Sequence, residues 1–297
     1  MCDYWRVEKR TTLDAGLVHD VIISQCDQGL KKVYFTGGEC LLEADRLFPL
    51  VERLRAERPG IDFCLNTNGI LLERHSRDVA RLFSKVIVSL DAVSAEMYRE
   101  IRGVDALDRV CAGLYELRHT GPKTRINLRA LVLPANMEAL PDLIDCARRL
   151  RVDRISFLPE DTRSVSAFGR TGSAGREQRF PGEALSRLRE IIDAIRLNFA
   201  CESGRLLAKD CEDLQRVCDY YAGSPGNHLC TKAAESCVIS VNGAVNPCYF
   251  IESGCHISAS RDLEAVLGSP EYEAGAGLAG RGLHPACRWC VCPKELT

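Results

Sequence analysis

The sequence predicts an α/β protein: a parallel barrel or partial barrel of strands and helices, followed by a small C-terminal cysteine-rich domain. Two observations support this prediction. Between residues 33 and 159, short apolar runs alternate with segments of helical periodicity, as in a parallel sheet covered by helices. Beyond residue 221, Gly/Pro turns and closely spaced cysteines replace that alternation. We therefore predict a barrel over residues 1–160, a linker and helix over 161–225, and a cluster-binding domain over 226–297.

Five apolar runs are the predicted strands of the parallel sheet. They are Val33–Thr36, Phe63–Asn66, Val86–Leu90, Ile126–Leu133 and Arg154–Leu158. Apolar residues at helical spacing predict the helices that connect them. These helices are Ala44–Glu57, Glu73–Phe83, Ala95–Ile101, Ala106–Leu117 and Met137–Leu150. A further helix is predicted at Glu183–Phe199, and a hairpin where Val238–Val241 meets Asn242-Gly243.

Composition excludes several classes of protein. Apolar residues make up 46% and charged residues 27% of the 297 positions, which is ordinary for a soluble globular protein. The 39 basic and 41 acidic residues give a net charge of −2, so we expect neither a nucleic acid nor a membrane as partner. The first ten residues do not read as a signal peptide. Sixteen cysteines without such a signal favour metal binding over disulfides, in a reducing cytoplasm.

Polar and glycine residues follow three consecutive predicted strands. Thr36–Glu39 (TGGE) ends the first strand, Asn66–Gly69 (NTNG) the second, and Ser89–Asp91 (SLD) the third. Each alone could be structural, since Asn-Gly is a common turn and Ser or Asp often caps a helix. However, parallel β/α folds bind ligands at the carboxyl ends of their strands. Two glycines admit a ligand close to the backbone, and the Glu39 carboxylate can accept from an ammonium group.

A second set of chemistry-bearing residues lies near the C-terminus. The pattern reads Cys230-x12-Gly243-x4-Cys248, and then Cys287-x2-Cys290-x-Cys292. Thiolates on tight turns bind iron–sulfur clusters or zinc, and spacing alone leaves both open. The four favoured ligands, with Cys292 as the rival for a place, are Cys230, Cys248, Cys287 and Cys290. Cys237 and Cys255 fall outside the pattern, and we expect them to be buried structural thiols.

Taken together, these motifs resemble the radical SAM superfamily, and in particular its members with a C-terminal auxiliary cluster domain of the SPASM or twitch type. Tyr34–Glu39 resembles the family's second strand, whose Gly-Gly-Glu binds the amino group of S-adenosylmethionine, with Cys40 where proline often stands. Thr67–Gly69 resembles the third-strand motif, and Ser89–Asp91 the fourth-strand motif near the cofactor ribose. The resemblance implies a set of cofactor-binding residues: Gly37, Gly38, Glu39, Asn68, Ser89 and Asp91.

The spacing of the cysteines also resembles patterns of this superfamily. Cys230-x12-Gly243-x4-Cys248 resembles the opening of the SPASM pattern, and Cys287-x2-Cys290 also fits it. Fewer cysteines follow than the full pattern has, which implies a shortened domain with one auxiliary iron–sulfur cluster. Met1–Arg6 resembles the end of the family's Cys-x3-Cys-x2-Cys loop, with Cys2 as its third cysteine. The strand that precedes this loop in the family is absent here, so the resemblance implies a partial parallel barrel of the (β/α)6 type whose first strand is missing. Either the chain is a fragment or begins at an internal methionine, which we favour, or the catalytic cluster has been lost.

The resemblance implies a radical SAM enzyme that cleaves S-adenosylmethionine reductively to a 5′-deoxyadenosyl radical. The radical would abstract hydrogen from a peptide or small polar substrate. The implied cofactors are a 4Fe–4S cluster with an incomplete ligand set here, an auxiliary cluster and S-adenosylmethionine, with flavodoxin or ferredoxin as reductant. The printed chain is expected to be inactive, and no catalytic side chain is identified. The alternative is a degenerate, non-catalytic protein that binds iron–sulfur or zinc and acts as an electron-transfer or scaffold module.

Overall fold

The computed structural model of the chain describes residues 14–161, 180–202, 204–207, 212–224, 230, 232–257 and 262–290. These residues divide into two units. The sheet unit consists of Lys31–Glu160 and Gln178–Ser224. The cysteine-rich unit consists of Met1–Leu30, Asp161–Glu177 and Pro225–Lys294. The domain boundaries expected near residues 160 and 225 stay a prediction. In this division the described helices Gly182–Asn198 and Glu212–Tyr221 belong to the sheet unit, and the helix Ala15–Cys26 belongs to the same unit as the C-terminal residues.

The sheet unit contains five parallel strands whose order in space is their order in sequence. The strands are β1 Lys32–Phe35, β2 Asp62–Thr67, β3 Lys85–Ser89, β4 Arg125–Val132 and β5 Arg154–Pro159. This confirms the predicted α/β class and its parallel sheet. Because the strands are parallel and consecutive, all their carboxyl ends lie along one edge.

Helices connect the strands, as the apolar periodicity predicted. In chain order the α-helices are α1 Ala15–Cys26, α2 Ala44–Glu57, α3 Leu72–Leu82, α4 Ala95–Arg102, α5 Leu107–Thr120, α6 Leu140–Arg149, α7 Gly182–Asn198, α8 Glu212–Tyr221, α9 Lys232–Glu235, α10 Leu263–Leu267 and α11 Pro270–Gly280. Short 3-10 helices occur at Cys40–Glu43, Met137–Ala139, Ala200–Glu202 and Pro285–Trp289. None of the described helices is both long and apolar enough to span a bilayer.

The two faces of the sheet differ in chemistry. Residues of β3 and β4 such as Val86, Val88 and Leu128 are fully buried, and they alternate along each strand with residues of the other face. Burying such a side chain away from water stabilises the folded state by about 1.5–3 kcal/mol. The opposite face carries polar and charged side chains, including Tyr34 and Arg129. One face therefore packs in the core of the sheet unit, whereas the other presents polar and charged side chains.

Tyr221 of α8 ties together the carboxyl ends of β4 and β5. Its hydroxyl donates to the carbonyl oxygen of Val132 at 2.7 Å and accepts from the N–H of Glu160 at 2.7 Å. A buried hydroxyl that satisfies two backbone groups fixes the strand ends on either side of it. Tyr221 thus holds α8 against the end of the sheet.

In the described part of the cysteine-rich unit, helices predominate and the strands are short. Its two strands, β6 Val238–Ile239 and β7 Val245–Asn246, form an antiparallel pair. The connecting turn has Gly243 at φ +86°, a conformation that favours glycine, and the predicted hairpin is confirmed. The larger of two apolar groups contains Val21 of α1 beside residues from the C-terminal part: Val245, Ile257, Leu263 and Tyr272. The smaller contains Ala233, Ile251 and Ala279.

Candidate functional site

Two glycines follow β1 at the ligand-binding edge of the sheet. Gly37 and Gly38 are exposed, and a Cβ atom built on either would meet no atom within 4 Å. Gly37 has φ +154°, at the limit of the region that favours glycine. A ligand can therefore approach the backbone at this point more closely than side chains would allow.

Glu39 connects the ends of β1 and β2. Its Oε1 atom accepts from the Leu41 N–H at 3.1 Å and from the Thr67 hydroxyl at 2.8 Å. Its Oε2 atom accepts from the Asn68 N–H at 2.7 Å. A carboxylate has about four lone-pair positions, so one remains for a further donor. These bonds orient the Glu39 carboxylate beside the open glycine backbone.

The turn after β2 is built for close packing. Gly69 has φ +84°, and a Cβ atom there would lie 2.8 Å from Val88 Cγ1 and 2.9 Å from Val110 Cγ1. The Asn68 side-chain oxygen accepts from the Ile70 N–H at 2.9 Å, which stabilises the turn. Only glycine fits at position 69, and the tight turn holds the Asn68 backbone against Glu39.

Ser89 and Asp91 differ in exposure, and therefore in how accessible they are to a ligand. Ser89 is half-buried at the end of β3, whereas Asp91 is fully buried. The Asp91 carboxylate accepts from the Leu131 N–H at 2.7 Å and forms an ion pair with Arg102 at 2.5 Å. Burial raises the pKa of Asp91, and the Arg102 guanidinium opposes that rise. The expected contact of Asp91 with a cofactor ribose stays a prediction. In the protein itself, the Leu131 N–H and the Arg102 guanidinium already bind this carboxylate.

Asn136 completes the support around Asp91. Its side-chain amide donates to the carbonyl oxygens of Asp91 at 2.7 Å and Leu131 at 2.8 Å, and its oxygen accepts from the Leu133 N–H at 2.8 Å. The side chain is fully buried. Asp91 and Asn136 thus join the ends of β3 and β4, which is a positioning role.

The polar face of the sheet was not recognised as a possible site from the sequence. We use this name for the side that bears Tyr34, Cys64, Lys85, Arg125 and Arg129, which the strand register places on one side. Lys85 is 8% exposed, and its Nζ lies 6.0 Å from the centroid of the Tyr34 ring. Burial raises the pKa of Tyr34 to about 12 and lowers that of Lys85. The signal available in the sequence was the period-two spacing of Arg125, Asn127 and Arg129.

Four C-terminal thiols lie close enough to influence one another. Burial is the main cause that raises the pKa of Cys248 to about 11, and Cys290, Cys287 and Cys230 contribute. Burial likewise raises the pKa of Cys287, with contributions from Cys290 and Cys230. The Phe250 N–H donates to Cys248 Sγ at 3.4 Å. Even so, no three Cys, His, Asp or Glu side chains among the described residues stand in the geometry of an assembled metal site.

The other cysteines of this unit have apolar surroundings. Cys237 and Cys255 pack against the group formed by Val21, Val245 and Tyr272. Burial raises the pKa of Cys237 to about 11. Both surroundings agree with the structural role expected for these thiols. Two of the predicted metal ligands, Cys2 and Cys292, lie outside the described residues.

Curated relatives of the chain match between about half and four fifths of it. It is 32% identical over 143 residues to a GTP 3′,8-cyclase of Helicobacter pylori (strain HPAG1), a match that covers 47% of this chain and 44% of the relative. It is 25% identical over 247 residues to a GTP 3′,8-cyclase of Campylobacter jejuni subsp. doylei, which covers 81% and 72% respectively. The chain thus spans less than half the length of the first of these relatives.

Solved structures resemble the fold over most of the chain. Native anSMEcpe with bound AdoMet aligns with a TM-score of 0.66 at 14% identity, covering 92% of this chain and 77% of that protein. Streptococcus suis SuiB aligns with a TM-score of 0.63 at 17% identity, covering 87% and 60%. At such identities the likeness concerns the fold alone. Residues 1–147 match the model of the Radical SAM superfamily.

Proposed function

We propose that this chain carries the S-adenosylmethionine site and the auxiliary iron–sulfur site of a radical SAM enzyme. The observation that supports the proposal most strongly is the Glu39 carboxylate, which Leu41 after β1 and Thr67 and Asn68 at the end of β2 fix beside the open backbone of Gly37 and Gly38. When bound, S-adenosylmethionine and a reduced 4Fe–4S cluster supply a 5′-deoxyadenosyl radical that takes hydrogen from a substrate C–H bond.

The residues at the strand ends would bind and orient the cofactor. Glu39 would accept from its ammonium group with the lone pair left over by Leu41, Thr67 and Asn68. The glycine backbone would admit the methionine part, which fits the empty space above both Cα atoms. Asn68 and Ser89 would face the rest of the cofactor.

Asp91 would act on this site through the protein. Its bonds to Leu131 and Arg102 position the ends of β3, β4 and α4, so its loss would misplace Ser89 without removing a ligand. The remaining assignment is Cys2, which would be a thiolate ligand of the 4Fe–4S cluster.

The C-terminal thiols would bind the auxiliary cluster of a SPASM- or twitch-type domain. Cys290, Cys287 and Cys230 contribute to the raised pKa of Cys248, and Cys290 and Cys230 to that of Cys287, although the four thiols are not assembled into ligating geometry. A thiol with a raised pKa gives up its proton when iron binds, because the metal stabilises the thiolate. The Phe250 N–H at Cys248 would then tune the cluster potential. Cys292 remains the rival fourth ligand.

The substrate would be a small polar molecule. Relatives named GTP 3′,8-cyclase favour a nucleotide, whereas the fold neighbours include SuiB bound to its precursor peptide SuiA. We weigh the sequence relatives more heavily, since the structural likeness at 18% identity shows the fold alone. A flavodoxin or ferredoxin would supply the electron.

Binding of S-adenosylmethionine tests the first site. The Glu39→Gln variant puts an amide N–H against the donors at Thr67 or Asn68, and it removes the charge that would pair with the ammonium. We expect its affinity for S-adenosylmethionine, measured anaerobically by calorimetry, to fall at least 10-fold. Glu43→Gln, on an exposed carboxylate four residues away, is the matched control and should bind as the wild type does. Wild-type protein that binds no S-adenosylmethionine would refute the proposal.

Metal content tests the second site. After anaerobic reconstitution with iron and sulfide, the Cys248→Ser variant should lose most of the iron that the wild type binds through its C-terminal thiols. Cys255→Ser, at a thiol packed among apolar residues, should keep it. A colourless protein loaded with zinc would instead identify a structural zinc site.

A further inference from the structure

Two cysteine thiols of the sheet unit meet on neighbouring helices. Because β3, β4 and β5 are parallel and adjacent in chain order, right-handed crossovers place the helices that connect them side by side on one face of the sheet. Cys111 lies on α5 and Cys146 on α6, and their thiols share a hydrogen bond. Both are free thiols and both are half-buried. The pair is therefore within reach of a small reagent, and each sulfur is within reach of the other.

The two thiols differ in protonation. The hydrogen bond from Cys111 lowers the pKa of Cys146, and the Arg149 guanidinium, one turn further along α6, lowers it as well. The same hydrogen bond, together with burial, raises the pKa of Cys111, which therefore keeps its proton. Elsewhere in the sheet unit, burial raises the pKa of the Cys218 thiol to about 11. Cys146 is thus the thiolate of the pair, and Cys111 is the protonated thiol beside it.

A thiolate beside a protonated thiol is the arrangement that a hydroperoxide oxidises in two steps. First, the Cys146 sulfur would attack a peroxide oxygen: an S–O bond forms, the O–O bond breaks, and the hydroxide that leaves takes up the proton that Cys146 had released. Then the Cys111 sulfur would attack the sulfenic sulfur: the S–S bond forms, the S–O bond breaks, and water leaves with the Cys111 proton. Two thiols and one hydrogen peroxide thus give one disulfide and two waters, and a dithiol reductant would restore the pair by exchange.

Cys111 also lies next to the residues that support the end of β3. Its helix, α5, packs against α4, whose Tyr98 is 1% exposed. Burial raises the pKa of Tyr98, and the charges of Arg102, Asp91 and Cys111 act on it as well. Tyr98 is therefore close both to the thiol pair and to the ion pair of Asp91 with Arg102. Because an S–S bond of about 2.05 Å is shorter than a hydrogen-bonded contact between two sulfurs, its formation would draw α5 and α6 together and disturb this packing.

We propose that Cys146 and Cys111 form a peroxide-reactive thiol pair that closes to a disulfide between α5 and α6, and that this closure weakens the binding of S-adenosylmethionine by displacing Tyr98 and Asp91. The modification itself requires only the thiol pair. Its effect on S-adenosylmethionine rests on the proposed function, in which the bonds of Asp91 position the end of β3 at the cofactor site.

Peptide mapping after mild oxidation tests the modification. Reconstituted protein at pH 7.5 is treated with one equivalent of hydrogen peroxide, the remaining thiols are blocked with iodoacetamide, and the unreduced tryptic peptides are measured by mass spectrometry. Cys111 is the only cysteine of the tryptic peptide 110–118, Cys146 the only one of 130–148, and Cys201 the only one of 197–205. We expect peptides 110–118 and 130–148 to be linked, and Cys146 to be oxidised at least 10-fold faster than the exposed Cys201.

Three variants separate the roles of the two thiols. Cys111→Ala should form no linked pair, and dimedone should capture a sulfenic acid at Cys146 in this variant. Cys201→Ala, the matched control at an exposed thiol of the same unit, should form the linked pair as the wild type does. Cys146→Ser should leave Cys111 reduced, and it is the second variant in case Cys111→Ala does not fold, which thermal melting checks. Absence of the linked pair from the wild type, or oxidation of Cys201 as fast as Cys146, overturns the proposal.

S-Adenosylmethionine affinity is measured by anaerobic calorimetry before and after oxidation. Oxidation should lower the affinity of the wild type at least 3-fold and that of Cys111→Ala less than 1.5-fold, and dithiothreitol should restore the wild-type value. A disulfide that leaves the affinity unchanged would overturn the coupling to Asp91. Reduced wild-type protein that binds no S-adenosylmethionine would refute the proposed function, whereas the linked peptides would still establish the thiol pair.

Discussion

The sheet unit and the cysteine-rich unit are stabilised in different ways. In the sheet unit, alternate residues of β4 and most residues of β2 and β3 are buried, so apolar burial accounts for its fold. In the cysteine-rich unit the two strands have two residues each, and the apolar groups contain five and three buried residues. Small units with so little core usually require a metal or disulfides. We therefore expect the sheet unit to fold without a ligand, and the proposed metal to stabilise the cysteine-rich unit.

Removal of the metal should have the largest effect and should separate the two units. In reconstituted protein treated with an iron chelator, amide exchange in β7 and α11 should rise by about 100-fold, because binding free energy is folding free energy in a small metal site. Exchange in β3 and β4 should stay unchanged. Hydrogen exchange read by mass spectrometry measures both regions in one sample. Equal protection of β7 with and without metal would contradict the comparison.

Substitution at Gly69 should destabilise the sheet unit alone. Gly69→Ala forces alanine into φ +84° and brings its Cβ within 3 Å of Val88 and Val110. We expect a loss of about 2–4 kcal/mol in the free energy of unfolding of this unit, measured by urea denaturation.

Gly60→Ala is the matched control for this change. A Cβ atom at position 60 meets nothing within 4 Å, so its effect should stay within about 0.5 kcal/mol. Iron binding by the C-terminal thiols should be the same in both variants. A Gly69→Ala protein as stable as Gly60→Ala would show that the turn adapts.

The rate at which cysteine thiols are alkylated should differ between the two units, whereas the stability of each unit should change little. In the sheet unit, a hydrogen bond from Cys111 lowers the pKa of Cys146, and Arg149 adds to that effect. In the cysteine-rich unit, burial raises the pKa of Cys237 and Cys248 to about 11. Since the thiolate is the nucleophile, metal-free protein at pH 7.5 should be alkylated by iodoacetamide first at Cys146.

Cys111→Ala tests the cause of this reactivity. Without the Cys111 hydrogen bond, the pKa of Cys146 should rise and its alkylation at pH 7.5 should slow. Peptide mapping by mass spectrometry gives the rate at each thiol. Equal rates at Cys146 and Cys248 in the unsubstituted protein would argue against the assigned pKa directions.

The sequence predicted the elements of the sheet unit well because their signals are local. Ala44–Glu57 was predicted with the bounds that the structure has, and every predicted strand overlaps an observed one. Apolar periodicity depends only on neighbouring residues and on which side of an element is buried. The glycines after β1 and the Gly69 turn could be predicted for the same reason, since a single glycine residue by itself indicates a position with an unusual backbone conformation or a close contact.

Other features depended on contacts between residues distant in the chain. The strand pattern did not distinguish a buried Cys64 in an apolar core from a Cys64 beside Tyr34 and Lys85, because that difference lies in the register of neighbouring strands. Likewise, Asp91 had the position of a ligand-binding residue, and only the fold shows that Leu131 and Arg102 engage its carboxylate.

By itself, then, the sequence determined the α/β class, the order of strands and helices, the glycine-rich strand ends and the cysteine spacing. These are properties of short segments, and local sterics and apolar periodicity decide them. The tertiary structure decided which side chains meet: Glu39 with Asn68, Lys85 with its neighbouring cations, and α1 with the hairpin of the cysteine-rich unit. Such pairings join residues far apart in the chain, so their energies depend on register and packing that no single segment contains.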